Sequence, residues 1–102
     1  MATLLVLYKS PADAAAFDQH YFTTHVPLAR KLPGLRRYEV SAGPIATPQG
    51  DAPYHLVATL SFDSRDSIQQ ELRSPEGQAT AGDLGNFAQA GVELLMFDSK
   101  EA

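Results

Sequence analysis

His20, Tyr21 and His25 fall within one short stretch, His20-Tyr21-Phe22-Thr23-Thr24-His25-Val26-Pro27-Leu28-Ala29, with Leu32-Pro33-Gly34-Leu35 close behind. An imidazole exchanges protons near neutral pH, and a phenol beside it can orient it or bind a ligand oxygen. In a helix, Tyr21 and His25 stand one turn apart on one shoulder and can converge on a common cavity. His20 falls about 140° from His25, so the two imidazoles are not expected to ligate one metal.

Pro27 biases Val26 away from helical dihedrals, so the helix is expected to end or kink near His25. There the imidazole would sit among carbonyls without amide partners, which favours its protonated form. Each of these residues also has a plainer reading. His25 can serve as a helix-end cap, Tyr21 as core and His20 as a solvated edge residue. Tyr38 and His55 lie on neighbouring strands and can face one cavity or simply pack. Arg37 can clamp an anion or pair with Glu39. Asp83 can cap a turn or polarise a histidine across the helical layer.

The elements that position these groups follow from hydropathy and capping. Thr3 to Lys9 is a near-continuous apolar run, as in a strand covered on both faces. Ser10-Pro11-Ala12-Asp13 opens a helix expected from Pro11 to Thr24, with Phe17, Thr24, Tyr21 and Ala14 along its core stripe. A second short turn follows from Pro27 through Leu32. Leu35 to Gly43 reads as a strand, Gly43 to Pro53 as a surface loop, and Tyr54 to Phe62 as a third strand with Tyr54, Leu56, Ala58, Leu60 and Phe62 on one face and His55, Val57, Thr59 and Ser61 on the other. Ser64 caps a helix to Arg73, Ser74 caps another stretch that is rich in glycine, and Val92 to Phe97 is the last strand. The order is strand, helix, strand, strand, helix, strand: an α+β, ferredoxin-like sandwich with an antiparallel sheet. The first and last strands are apolar almost throughout, so the bare face of the sheet needs a cover, and an identical subunit is the simplest one.

With 102 residues and 44% hydrophobic content, the chain fits a single domain over residues 1–102. Its net charge of −4 and scattered basic residues argue against nucleic acid. The absence of cysteine removes disulfides and thiolate chemistry. No run approaches the roughly 20 apolar residues of a membrane span, and Met1 to Tyr8 reads as a strand rather than a signal peptide. A cytoplasmic protein is expected. Phosphate-binding glycine loops, nucleophile elbows and the His-Glu-x-x-His signature are all missing, so no cofactor and no metal are expected. Haem stays open, since a single histidine can be an axial ligand.

The pattern Ala16-Phe17-Asp18-Gln19-His20-Tyr21, Thr24-His25-Val26-Pro27-Leu28-Ala29, Leu32-Pro33-Gly34-Leu35-Arg36-Arg37-Tyr38, then Phe62-Asp63-Ser64 and Asp83-Leu84 to Phe87, resembles the EthD family. The resemblance implies a dimeric α+β barrel, in which two subunits pack their sheets together. The family's founding member accompanies an ether-degrading cytochrome P450 system without a settled reaction of its own. Its wider superfamily holds muconolactone isomerases, cyclases, dehydratases and small monooxygenases without a bound cofactor. The histidine of the family's His-x-Pro motif corresponds to His25, and the aromatic after Leu-Pro-Gly-Leu to Tyr38. Related isomerases add a cysteine that this chain lacks.

The expectation is a cofactor-independent lyase or isomerase acting on a small, apolar, oxygenated ring compound. His25 would move the proton, Tyr21 and Tyr38 would hold the substrate oxygen, and His20 or Asp83 would tune the network. Phe17, Leu60 and Phe87 would complete the binding set and keep water out. The alternative is a non-catalytic homodimer that binds a small hydrophobic ligand and assists an oxygenase.

Overall fold

A computed structural model describes residues 1–102. Strands β1 (Ala2–Lys9), β2 (Arg37–Val40), β5 (Tyr54–Phe62) and β6 (Val92–Asp98) form an antiparallel sheet in the order β2-β5-β1-β6. Helices α1 (Ala14–His20), α2 (Val26–Ala29), α3 (Arg65–Arg73) and α4 (Pro75–Phe87) complete the fold, and β3 (Ala46–Thr47) pairs with β4 (Gly50–Asp51) in a small hairpin. This is the expected ferredoxin-like α+β architecture. No helix is long and apolar enough to cross a membrane.

Side-chain alternation divides the sheet. Leu4, Val6 and Tyr8 on β1, with Leu56, Ala58, Leu60 and Phe62 on β5, are buried beneath the helices. Leu5 and Leu7 point the other way and are only half-buried. Opposite Leu5 stands Leu95, and opposite Thr3 stands Phe97, which are 50% and 43% exposed. This is the face for which a cover was expected.

The caps at Ser64 and Ser74 are as expected: Ser64 accepts from the Ser67 amide at 3.1 Å and Ser74 from the Gly77 amide at 3.0 Å. Gly77 has a steric reason, because a Cβ there would lie 1.9 Å from the Glu71 carbonyl oxygen. The tight α3–α4 corner requires glycine. The first helix, by contrast, starts later than expected. Asp13, not Ser10, caps it by accepting from the Ala16 amide at 3.0 Å.

Of the expected end or kink near His25, the end does not occur. The chain stays helical through a π-helical turn, Tyr21–His25, and passes directly into α2, with Val26 at φ −57° and ψ −47° although it precedes Pro27. The Val26 amide donates to the Tyr21 carbonyl five residues back. Pro27 has no amide to give and its ring would crowd a carbonyl one α-turn back, so a wider turn is the local solution that keeps the helix going. The buried residues become Phe17, Tyr21, His25 and Ala29, one every fourth position, and Ala14 and Thr24 of the expected stripe are exposed. An unbroken α-helix would carry that set round by about 40° at each step, and the π turn takes up the drift.

Candidate functional site

Asp83 on α4 is the centre of the polar cluster. It is 6% exposed, and its carboxylate accepts from three side chains. His25 Nδ1 lies 2.9 Å from Oδ2, His20 Nε2 lies 2.8 Å from Oδ1 and 3.1 Å from Oδ2, and Asn86 Nδ2 donates to Oδ1 at 3.0 Å. Burial favours the neutral acid, but the bonds from Asn86, His20 and His25 outweigh it and hold Asp83 below the usual carboxylate range. The π turn explains how both imidazoles reach one carboxylate: its hydrogen bond spans five residues, which brings His25 round towards His20. The opposite-shoulder placement expected from an unbroken α-helix is corrected accordingly.

His25 is 4% exposed. Burial lowers its proton affinity, the hydrogen bond and charge of Asp83 work against that, and the nearby His20 adds to the lowering. The expectation that a helix end there would favour imidazolium fails, because the helix continues past His25 and burial lowers the proton affinity of the ring. A neutral ring that donates from Nδ1 to Asp83 keeps a lone pair on Nε2. That nitrogen faces the Tyr8 hydroxyl at 3.4 Å, a long contact that leaves it available.

Tyr8 closes the buried face of β1, and burial, then the charges at Tyr38 and Asp83, push its phenol up. The Tyr21 and Tyr38 hydroxyls are hydrogen-bonded to each other. Burial pushes both up as well; the Tyr21 bond and Arg30 counter part of this at Tyr38. All three phenols are therefore proton donors at neutral pH. Tyr8, Tyr21 and Phe87 pack around His25, with Phe87 4.8 Å and Tyr21 5.4 Å from the imidazole between ring centres, and Phe17 packs against all three.

A cavity of about 50 Å³ lies between the sheet and the helices, lined by Leu4, Val6, Tyr8, His25, Tyr38, Ala58, Leu60 and Leu84 among others, mostly apolar. That is room for a few waters or a small apolar group. Of the residues singled out from sequence, His25, Tyr38 and Leu60 line this space. Tyr21 stacks behind His25 and reaches Tyr38. Phe17, His20 and Phe87 line a separate outer groove together with Asp13 and Asn86. Asp83 is enclosed between the two spaces, bonded to His25 on one side and His20 on the other. No group of three or more His, Asp or Glu side chains is arranged to hold a metal ion.

Tyr8 and Asn86 were missed from sequence. Parity along β1 puts Tyr8 on the same face as Leu4 and Val6, and a buried phenol ending such a row was the available signal. Asn86 is three residues from Asp83, within reach on one helix face. His55 was expected on the face opposite Leu56, beside Val57. A register shift between Tyr8 and Lys9 turns it to the helix side instead, where it packs edge-on to Phe17 at 5.0 Å and bonds Asp18 at 2.7 Å. Arg37 takes its plainer reading and pairs with Glu39 at 3.0 Å.

Fold and site together define a ferredoxin-like α+β protein with a carboxylate–imidazole–phenol array facing a small apolar cavity. Residues 9–91 match the EthD domain, and the chain belongs to the EthD family. It is 40% identical over 101 residues to an uncharacterised 11.0 kDa protein of the thcB-thcC intergenic region of Rhodococcus erythropolis, covering 98% of this chain and 96% of that protein. The crystal structure of an EthD family protein from Bacillus halodurans superposes with a TM-score of 0.89 at 38% identity, covering 98% of this chain and 99% of the other. At the level of fold alone, SnoaB, a cofactor-independent oxygenase from Streptomyces nogalater, matches with a TM-score of 0.68 at 18% identity over 99% of this chain and 94% of its own.

Proposed function

We propose that this protein is a cofactor-independent acid–base catalyst of the lyase or isomerase type, acting on a small, apolar, oxygenated ring compound. The observation that carries the reading is the setting of His25: Nδ1 is held by Asp83, Nε2 stands 3.4 Å from the Tyr8 hydroxyl, and the residue lines a mostly apolar cavity. A ring that donates from Nδ1 to a carboxylate keeps a lone pair on Nε2, and beside a mostly apolar space that nitrogen is suited to take a proton from carbon or oxygen. Tyr8 and the Tyr21–Tyr38 pair would stabilise charge developing on the substrate oxygen. Asp83 would fix the His25 tautomer that leaves Nε2 unprotonated, and Leu60 and its neighbours would exclude water. Proton abstraction next to an oxygen-bearing carbon opens isomerisation, dehydration and cofactor-free oxygenation alike, which fits the range of this fold. The assembly proposed is a homodimer that covers the bare sheet face with Leu5, Leu95 and Phe97 of each copy.

The test works on a panel of compounds, so the natural substrate need not be in hand. Lactones and hydroxylated aromatics are incubated with the protein in D2O, and protein-dependent deuterium uptake at activated carbons is followed by NMR. Wild type is expected to exchange at least one compound, and His25→Gln to bind it but lose the exchange. A His25→Gln protein that exchanges as wild type does would overturn the reading. Binding without exchange by wild type would favour the non-catalytic accessory role beside an oxygenase.

A further inference from the structure

The Asp83 carboxylate separates two spaces. On its inner side it holds His25, which lines the apolar cavity; on its outer side it holds His20, whose ring is 29% exposed and lines a groove of about 640 Å³ between α1 and the end of α4. His20 Nε2 is committed to Asp83, and no protein partner occupies Nδ1. Both imidazoles present an N–H to the same carboxylate, so the array is not a wire along which a proton hops from one ring to the other. It is one negative charge shared by two groups that can each become positive.

From this arrangement we infer that His20 is a positioning residue for the buried base: acting through Asp83, its protonation from the groove holds His25 in the neutral form that can accept a proton. The inference rests on the reading of His25 as the base, and it adds what sets the state of that base. One carboxylate balances one imidazolium well and two poorly. Of the two rings, His20 is the one that water in the groove reaches, whereas His25 is 4% exposed. With His20 charged, Asp83 is neutralised and His25 keeps its Nε2 lone pair. When His20 loses its proton, the full carboxylate charge falls to His25, which then holds a proton more firmly.

The other groups facing the array do not supply this control. Tyr8 from β1 and Tyr21 from the same helix stay protonated, as does Tyr38 from β2, which Arg30 influences. Asp13 shares the groove but is committed to capping α1. His55 on β5 is occupied with Asp18.

The experiment is an NMR titration of the histidine rings in the intact protein without ligand, with signals assigned by single His→Gln variants. In wild type, His25 is expected to show two inflections, one coinciding with the titration of His20. In His20→Gln, whose side-chain amide can still donate to Asp83, His25 should show a single inflection moved up by about one pH unit. His55→Gln should change neither histidine. His20→Phe, which removes the donor as well as the charge, separates loss of orientation from loss of coupling, and Gln is expected to rescue the sharp His25 signal that Phe blurs. A single inflection in wild type, with the same midpoint in His20→Gln, would overturn the inference. Because no substrate is used, this result is independent of the deuterium-exchange test of His25 as a catalyst.

Discussion

Of the three histidine–aspartate pairs that tie the first helical stretch to the rest of this molecule, two make the sharpest contrast, His25 with Asp83 and His55 with Asp18. His25 and Asp83 meet at 2.9 Å with their side chains 5% and 6% exposed. His55 and Asp18 meet at 2.7 Å with theirs 25% and 49% exposed. The outer pair is the shorter, yet water competes for both its partners and screens their charges, so its net contribution is small. The inner pair is largely shielded from water, and the buried Nδ1 of His25 depends on Asp83, which also accepts from His20 and Asn86. Separation therefore ranks the two pairs wrongly; burial ranks them correctly.

The largest effect should come from removing the inner acid. Asp83→Ala strips the partner from His25, His20 and Asn86 at once, and the buried Nδ1–H of His25 has no alternative acceptor. The expected loss is about 3 kcal/mol in a denaturant titration, against less than about 1 kcal/mol for Asp18→Ala. Equal losses would mean that burial does not separate the pairs. Asp83→Asn is expected to be milder, because the amide oxygen still accepts from one imidazole.

The two pairs were also unequally legible. The strand order, the Ser64 and Ser74 caps and the span of β5 were readable, because alternation and capping are local properties that each segment carries on its own. Asp83 as a partner for a histidine across the helical layer was among the available readings. The convergence of His20 and His25 on it was not, because periodicity assumes one helical pitch and a π turn changes it. Pro27 was the only local sign; read as a helix end, it was in fact accommodated by a wider turn once α4 supplied Asp83 and Phe87 to pack against. His55 was misplaced for a similar reason. A one-residue register shift beside Lys9 reverses the face of a side chain, and nothing in the alternation of Tyr54 to Phe62 announces it.

Acidification should sharpen the contrast. His25 has its proton affinity lowered in the folded state, so below the ordinary histidine value of about 6.5 the unfolded chain binds a proton that the native protein resists. Stability should be fully present above that pH and fall as the pH drops through the lowered native value. Asp83 is lowered too, which adds a second decline below the ordinary carboxylate value of about 4. Denaturant titrations from pH 8 to 4 should show the first decline in wild type and its absence in His25→Gln. A profile of wild type that stays flat between pH 7 and 5 would contradict a His25 buried as neutral imidazole.

A smaller effect is expected at the sheet face that the proposed dimer covers. Leu95→Glu places a charge on a strand that is already exposed in the single chain, so the fold itself should lose less than about 1 kcal/mol. Light scattering should nevertheless show a shift from dimer to monomer, because the same charge would be desolvated against the partner's sheet. A Leu95→Glu protein that remains dimeric would place the interface elsewhere.

The smallest effect belongs to the outer pair and is the finest test of the comparison. A double-mutant cycle with Asp18→Ala and His55→Gln should give a coupling of roughly 0.5 kcal/mol at low salt, falling towards zero at about 0.5 M salt. The corresponding cycle with Asp83→Asn and His25→Gln should keep most of its coupling at the same salt, since mobile ions do not enter a site this enclosed. If both couplings faded together, the shorter and the longer pair would be equivalent, and the enclosure of Asp83 between two helices would not be what distinguishes them. Persistence of the inner coupling alone would make solvent exclusion, rather than contact distance, the property that sets apart the pair assigned to the chemistry.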